Sequence, residues 1–174
     1  MLYCSNENHC QLLGRSRAVP RFRPDNCAVT STLVSRMSEG GQLLMWGLRH
    51  WMVATLQGRP VPLSVLRAFD GVGGARLSRT LVAMLLLTAR DADRPLQILP
   101  PCCRELSADE EGIAVVLTAM TREPAAMAAH WRALLGADPS RALLRHARAV
   151  GAAFKAAGLQ IEIGAEFAEA AFPT

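Results

Sequence analysis

Beyond residue 37, apolar positions along the chain recur every three to four residues, the spacing of helices, and seldom every second residue, the spacing of strands. In SEGGQLLMWGLRHWMVATLQG, residues 38–58, the side chains Leu44, Leu48, Trp51 and Leu56 mark one face, and Trp46 and Met52 widen it. Gly58, Pro60 and Pro62 end that helix. Residues 62–69, PLSVLRAF, predict a short helix with proline in its first turn, after which DGVGG breaks the chain. Residues 75–90, ARLSRTLVAMLLLTAR, are apolar around nearly the whole circumference beyond Thr80. Such a helix is either central or packed between two subunits.

Further along, Ser107 followed by Glu110 fits a capping box, and Asp109, Glu110 and Glu111 suit the positive end of a helix dipole. The helix they open runs to about Thr121. Pro124 opens the next, which ends at Gly136. The last has Asp138 as its cap and Pro139 at its first position, buries Leu143, Ala147, Val150 and Phe154, and closes at Gly158. Two short stretches read as extended, LQIL at 96–99 and LQIEI at 159–163, and they can pair with each other or with a symmetry mate. The expected fold is all-α: a single-domain bundle of five or six helices over residues 37–174.

Composition agrees with this picture. The chain is 51% hydrophobic and only 5% aromatic, dominated by Ala, Leu, Val and Met, and sparse β-branching favours helix over strand. The most apolar run, residues 80–89, is about half what a bilayer span needs, and no secretory signal pattern opens the chain. A cytoplasmic protein with no membrane partner is the expectation. Five cysteines without regular spacing do not suggest a disulfide framework in a reducing compartment.

Charge divides the chain. Residues 1–36 hold five arginines against Glu7 and Asp25, while residues 37–174 hold 14 basic and 13 acidic side chains. The leader therefore reads as a poorly ordered, Arg-rich tail, or as a start-site artefact if translation begins at Met37. The nearly neutral body argues against nucleic acid as the partner. A weaker alternative is nucleic-acid binding through the leader itself.

Candidate chemistry is thin. Cys102 and Cys103 in PPCCRELSADEE lie close to a helix start, where a dipole lowers a thiol pKa. Vicinal cysteines, however, are too close for ordinary disulfide geometry and lack the intervening residues zinc sites prefer. A metal ion there requires further donors, for which His130, His146 and His50 are available. Cys4, His9 and Cys10 match no closed zinc motif. DGVGGARL lacks both the third glycine of a dinucleotide fingerprint and the lysine of a P-loop. Residues 124–155 mimic a helix-turn-helix, with Arg141, Arg145, Arg148 and Lys155 near one face, but they read more simply as a solvated helix surface. No catalytic residue and no cofactor site is expected from these patterns.

Three stretches taken together, QLLMWGLRHW, PPCCRELSADEE and HWRALLGADPS, resemble a small family of alphaproteobacterial proteins known only as a domain of unknown function. The likeness spans roughly residues 42–158 and omits the Arg-rich leader. It implies an all-helical single domain in the cytoplasm and no activity. The expected function is non-enzymatic: self-association or partner binding, with a homodimer formed through the apolar helix near 77–89. The alternative is a thiol- or metal-dependent protein centred on Cys102 and Cys103.

Overall fold

A computed structural model describes residues 29–74, 76–122 and 126–163, without the side chains of 120–122. The described chain is mostly helical, with six helices and one two-stranded sheet. Strand β1 (Val29–Leu33) is followed by a 3-10 turn (Val34–Arg36), α1 (Glu39–Leu56), α2 (Leu63–Gly73) and α3 (Leu77–Asp91). Strand β2 (Glu105–Ser107) then leads directly into α4 (Ala108–Arg122), α5 (Met127–Leu135) and α6 (Arg141–Ala156). The all-α expectation holds for this region.

Strand β1 corrects the leader boundary at residue 36. It pairs antiparallel with β2, Val29 opposite Ser107 and Leu33 opposite Glu105, with an irregularity between. Its sequence VTSTL is rich in β-branched residues, which fit a pleated surface. Thr32 is buried and donates to Glu111 Oε1 at 3.3 Å, tying the strand to the first turn of α4. Residues 1–28, with Cys4, His9, Cys10 and Cys27, lie outside the described region.

The two stretches read as extended do not form strands. In 96–99 the Gln97 N–H donates to Asp109 Oδ2 at 2.6 Å and the Leu99 N–H to Glu110 Oε1 at 3.1 Å. Side-chain carboxylates thus supply the acceptors that a neighbouring strand would otherwise provide. In 159–163 the Glu162 N–H donates to Ser38 Oγ at 2.9 Å, and the Ser38 N–H donates to the Glu162 carbonyl at 3.0 Å. The Ile161 carbonyl accepts from the Thr118 hydroxyl. With those groups occupied, the segment has no ladder to offer.

Helix ends depart from expectation in two places. Helix α2 continues through Gly71 to Gly73 and stops only where Gly74 takes a φ of 75°, a conformation glycine adopts without a Cβ penalty. Helix α6 is capped by Ser140, whose Oγ accepts from Leu143 N at 3.1 Å. Asp138, expected as that cap, instead accepts from Arg132 Nε at 2.5 Å.

One contiguous core joins the helices, with Trp131, Phe69, Phe154, Met45 and Leu117 among its fully buried members. Helices α3 and α6 run antiparallel. The end of α3 meets the start of α6, where Ser140 N donates to Asp91 Oδ2 at 2.9 Å. At the other end of the pair, Gly73, just ahead of α3, lies so close to α6 that a Cβ there would stand 3.0 Å from the Ala153 Cβ. Gly47 lets α1 close onto α2, since a Cβ there would lie 2.2 Å from the Phe69 ring.

Candidate functional site

The cysteine turn lies in the connection between α3 and β2. Pro100 to Cys103 forms a tight turn closed by the Cys103 N–H on the Pro100 carbonyl at 3.0 Å. Cys102 is exposed and Cys103 half-buried, and neither is in a disulfide. The turn sits in a long connection, residues 92–104, that is wound around the N-terminus of α4.

Two acids from the first turn of α4 hold this connection. Glu110 is fully buried and forms a bidentate pair with Arg49 of α1: Nε to Oε1 at 2.7 Å and Nη2 to Oε2 at 2.8 Å. Arg49 also donates through Nη1 to the Cys103 carbonyl at 2.5 Å and through Nη2 to the Glu105 carbonyl at 2.6 Å. Glu110 accepts in addition from the N–H groups of Leu99 and Ser107, at 3.1 and 2.9 Å. Its own N–H donates to Ser107 Oγ at 3.1 Å, which completes the capping box anticipated from sequence. Beside it, Asp109 takes both Nη atoms of Arg94, at 2.9 and 2.5 Å, as well as the Gln97 N–H. The hydrogen bond to Asp109 holds the Arg94 guanidinium above its ordinary pKa against the opposing cost of burial.

Every one of these donors and acceptors is directed at another protein group. Burying a charge this deeply is tolerable only when it is paired and its remaining valences are filled. The arrangement therefore anchors backbone: the Arg49–Glu110 pair is enclosed, while the Arg94 side chain keeps 53% of its surface exposed. Arg49 was not singled out in the sequence, although it shares the α1 face of Met45 and Met52, both buried. A cation in register with an apolar stripe is the signal that identifies it.

The histidines are dispersed. His50 lies half-buried on α1, its Nδ1 2.7 Å from the Trp46 carbonyl and its ring 4.9 Å from the Trp46 ring. His130 sits on α5 and His146 on α6, both half-buried. Among the described residues no three His, Cys, Asp or Glu side chains are gathered closely enough to hold a metal ion. Cys102 and Cys103 are thus not joined there by His130, His146 or His50.

A cleft of about 200 Å³ opens between α4, α6 and the segment after α6, lined by Thr118, Phe154, Lys155, Gln160, Ile161 and Glu162 among others. It contains neither a histidine nor a cysteine. The outer face of α3 is different in kind. Leu77, Leu81, Met84, Leu85 and Thr88 face inward, while Leu86 is 54% exposed and is flanked by half-buried Val82, Ala83 and Ala89. No single helix among the described residues is long and apolar enough to cross a membrane. Comparison of the chain with protein-family models, with curated proteins and with solved structures finds no match.

Proposed function

We infer that the chain acts by association and not by catalysis, with the outer face of α3 as the contact between two copies. The observation that carries this reading is Leu86, which stands 54% exposed on a row with Val82, Ala83 and Ala89. Most of α3 is used inside its own subunit, so the free apolar area is small. Covering Leu86 and its neighbours in both copies recovers about 4–5 kcal/mol at ~25 cal/mol per Å². That is close to the lower end of the cost of association, so the two nearly cancel and the contact is weak, with Kd no tighter than about 1 mM. Weak contacts of this kind serve assemblies held together at high local concentration.

Sedimentation equilibrium tests the idea. The wild-type mass should rise from that of the 18.8 kDa chain towards twice that value as concentration increases. Leu86→Glu should remain at the single-chain mass throughout. Equal behaviour of the two proteins would remove α3 as the contact.

A second reading is supported by exposed Cys102 on its anchored turn: a thiol function for the vicinal pair, with a metal ion bound only if donors come from elsewhere. Elemental analysis after purification without chelator, comparing wild type with Cys102→Ala/Cys103→Ala, separates this from association. Metal bound by wild type and lost from the double variant would favour it.

A further inference from the structure

Helix α6 carries a line of cations without carboxylate partners among the described residues. Arg141, Arg145, Arg148 and Lys155 follow one another at spacings of four, three and seven residues, and all are exposed. Exposed Ala152 fills the gap in the same line. These spacings place all five side chains on one face. No acidic residue occurs anywhere in Arg141–Ala156. Elsewhere four arginines have carboxylate partners, Arg49 with Glu110, Arg90 with Asp91, Arg94 with Asp109 and Arg132 with Asp138, while Arg59, Arg67, Arg79 and Arg104 have none among the described residues. Among the described residues none of the four α6 cations has an ion pair or side-chain hydrogen bond.

The described acids near the ends of α6 are already engaged or lie to one end. Asp91 accepts from Arg90 and from the Ser140 N–H, and Asp138 from Arg132. Glu162 shares the cleft with Lys155, so the negative potential there offsets part of that end of the line. The three arginines therefore carry most of the effect. Leu143, Ala147, Val150 and Phe154 on the opposite face are buried, which fixes the orientation of the helix. The same burial removes the apolar side that an interfacial helix would insert into a bilayer.

The geometry points to the phosphate backbone of double-stranded nucleic acid as the partner of this ridge. At 1.5 Å per residue, Arg141 to Lys155 spans about 21 Å. A duplex presents one phosphate charge per about 1.7 Å of axis, so about a dozen phosphates lie within that length and the cations meet charge in any register. The small Ala149 and Ala152 side chains do not obstruct the approach. Contacts of this type position a duplex without reading its sequence. The sequence pattern alone suggests a solvated face; the added observation is that its arginines have no ion pairs among the described residues. The inference is independent of self-association, because Leu86→Glu leaves α6 intact.

The test is fluorescence anisotropy of a labelled 20-base-pair duplex with the full chain between 25 and 200 mM KCl. The contribution of α6 to the slope of log K against log salt is about −3.6 for four neutralised phosphates. Arg145→Ala/Arg148→Ala should reduce it to about −1.8, because two contacts are lost. A full chain with Arg15, Arg17, Arg21 and Arg23 all changed to alanine should keep the part of the slope that depends on α6. Circular dichroism of each variant checks that the fold is retained. Absence of binding at 25 mM KCl, or a slope unchanged by the α6 substitutions, would overturn the proposal. So would binding to phosphatidylserine vesicles, lost in the α6 variant, in a chain that ignores the duplex.

Discussion

Replacing Glu110 is the most revealing perturbation of this fold. The carboxylate is fully buried and serves three partners: the Arg49 guanidinium and the N–H groups of Leu99 and Ser107. Glu110→Leu leaves the guanidinium buried without its counter-charge, which costs about 3–5 kcal/mol. Arg49→Met strands the carboxylate and should cost a similar amount. The double variant is more informative. Where a buried pair interacts only with itself, apolar replacement of both members is often neutral or even stabilising by about 1–4 kcal/mol. Here the pair also satisfies four backbone groups: the N–H of Leu99 and Ser107, and the carbonyls of Cys103 and Glu105.

Each of those groups left buried without a partner costs about 1–3 kcal/mol, although the turn can recover part of this by moving towards water. Arg49→Met/Glu110→Leu should therefore remain at least about 3 kcal/mol below wild type, a large share of the ~5–15 kcal/mol typical of a domain. Urea denaturation followed at 222 nm gives the four free energies. Hydrogen exchange should show new exposure at Leu99 and Ser107 in the variants. A double variant within about 1 kcal/mol of wild type, with both singles strongly destabilised, would refute the backbone-anchoring role and leave only a simple ion pair.

Gly47→Ala should destabilise by about 2–3 kcal/mol, because overpacking must push α1 away from the Phe69 ring; a thermal melt measures it. Burial pushes the Asp91 carboxyl up, but hydrogen bonds from Ser140 and Arg90 outweigh it and hold the group below its ordinary value. A depressed folded pKa gives stability that is present above about pH 4 and lost as pH falls through the lower folded value. Urea midpoints between pH 6 and 2.5 should accordingly fall less steeply for Asp91→Asn than for wild type. Trp131 is fully buried and its indole N–H is the one buried side-chain polar atom among the described residues without a partner. Removing that donor offsets part of the lost ring volume, so Trp131→Phe should cost no more than about 1.5 kcal/mol by urea denaturation.

The helices were legible because their information is local. Apolar spacing located α1 and α3, and the Ser107–Glu110 capping box marked the start of α4. Where two caps compete within three residues, as with Asp138 and Ser140, the distant Asp91 holds the Ser140 N–H while Arg132 takes Asp138. Strand β1 was hidden by the polar composition around it, although VTSTL itself favours extended structure. The LQIEI segment misled for a related reason. Its alternation fits a strand, but hydroxyls from distant residues took hydrogen bonds a ladder requires, while LQIL is a connector whose N–H groups go to carboxylates. The Arg49–Glu110 contact joins positions 61 residues apart, and no local pattern specifies such a pairing.

The cysteine turn shows the same limit from the other side. PPCC looked like chemistry because reactive residues were adjacent, and the structure shows that its position is determined by a buried arginine and the acids behind it. Side chains that could have formed a reactive centre are engaged in holding backbone, while exposed apolar and cationic residues lie on α3 and α6.

Hydroxyl-radical footprinting of leucine side chains across a range of protein concentration tests most directly whether the chain works through its α3 surface. Leu86 should become progressively protected as concentration rises into the millimolar range, while Leu63, 67% exposed on α2, keeps a constant rate. Constant oxidation of Leu86 at every concentration, or equal protection of both leucines, would contradict it.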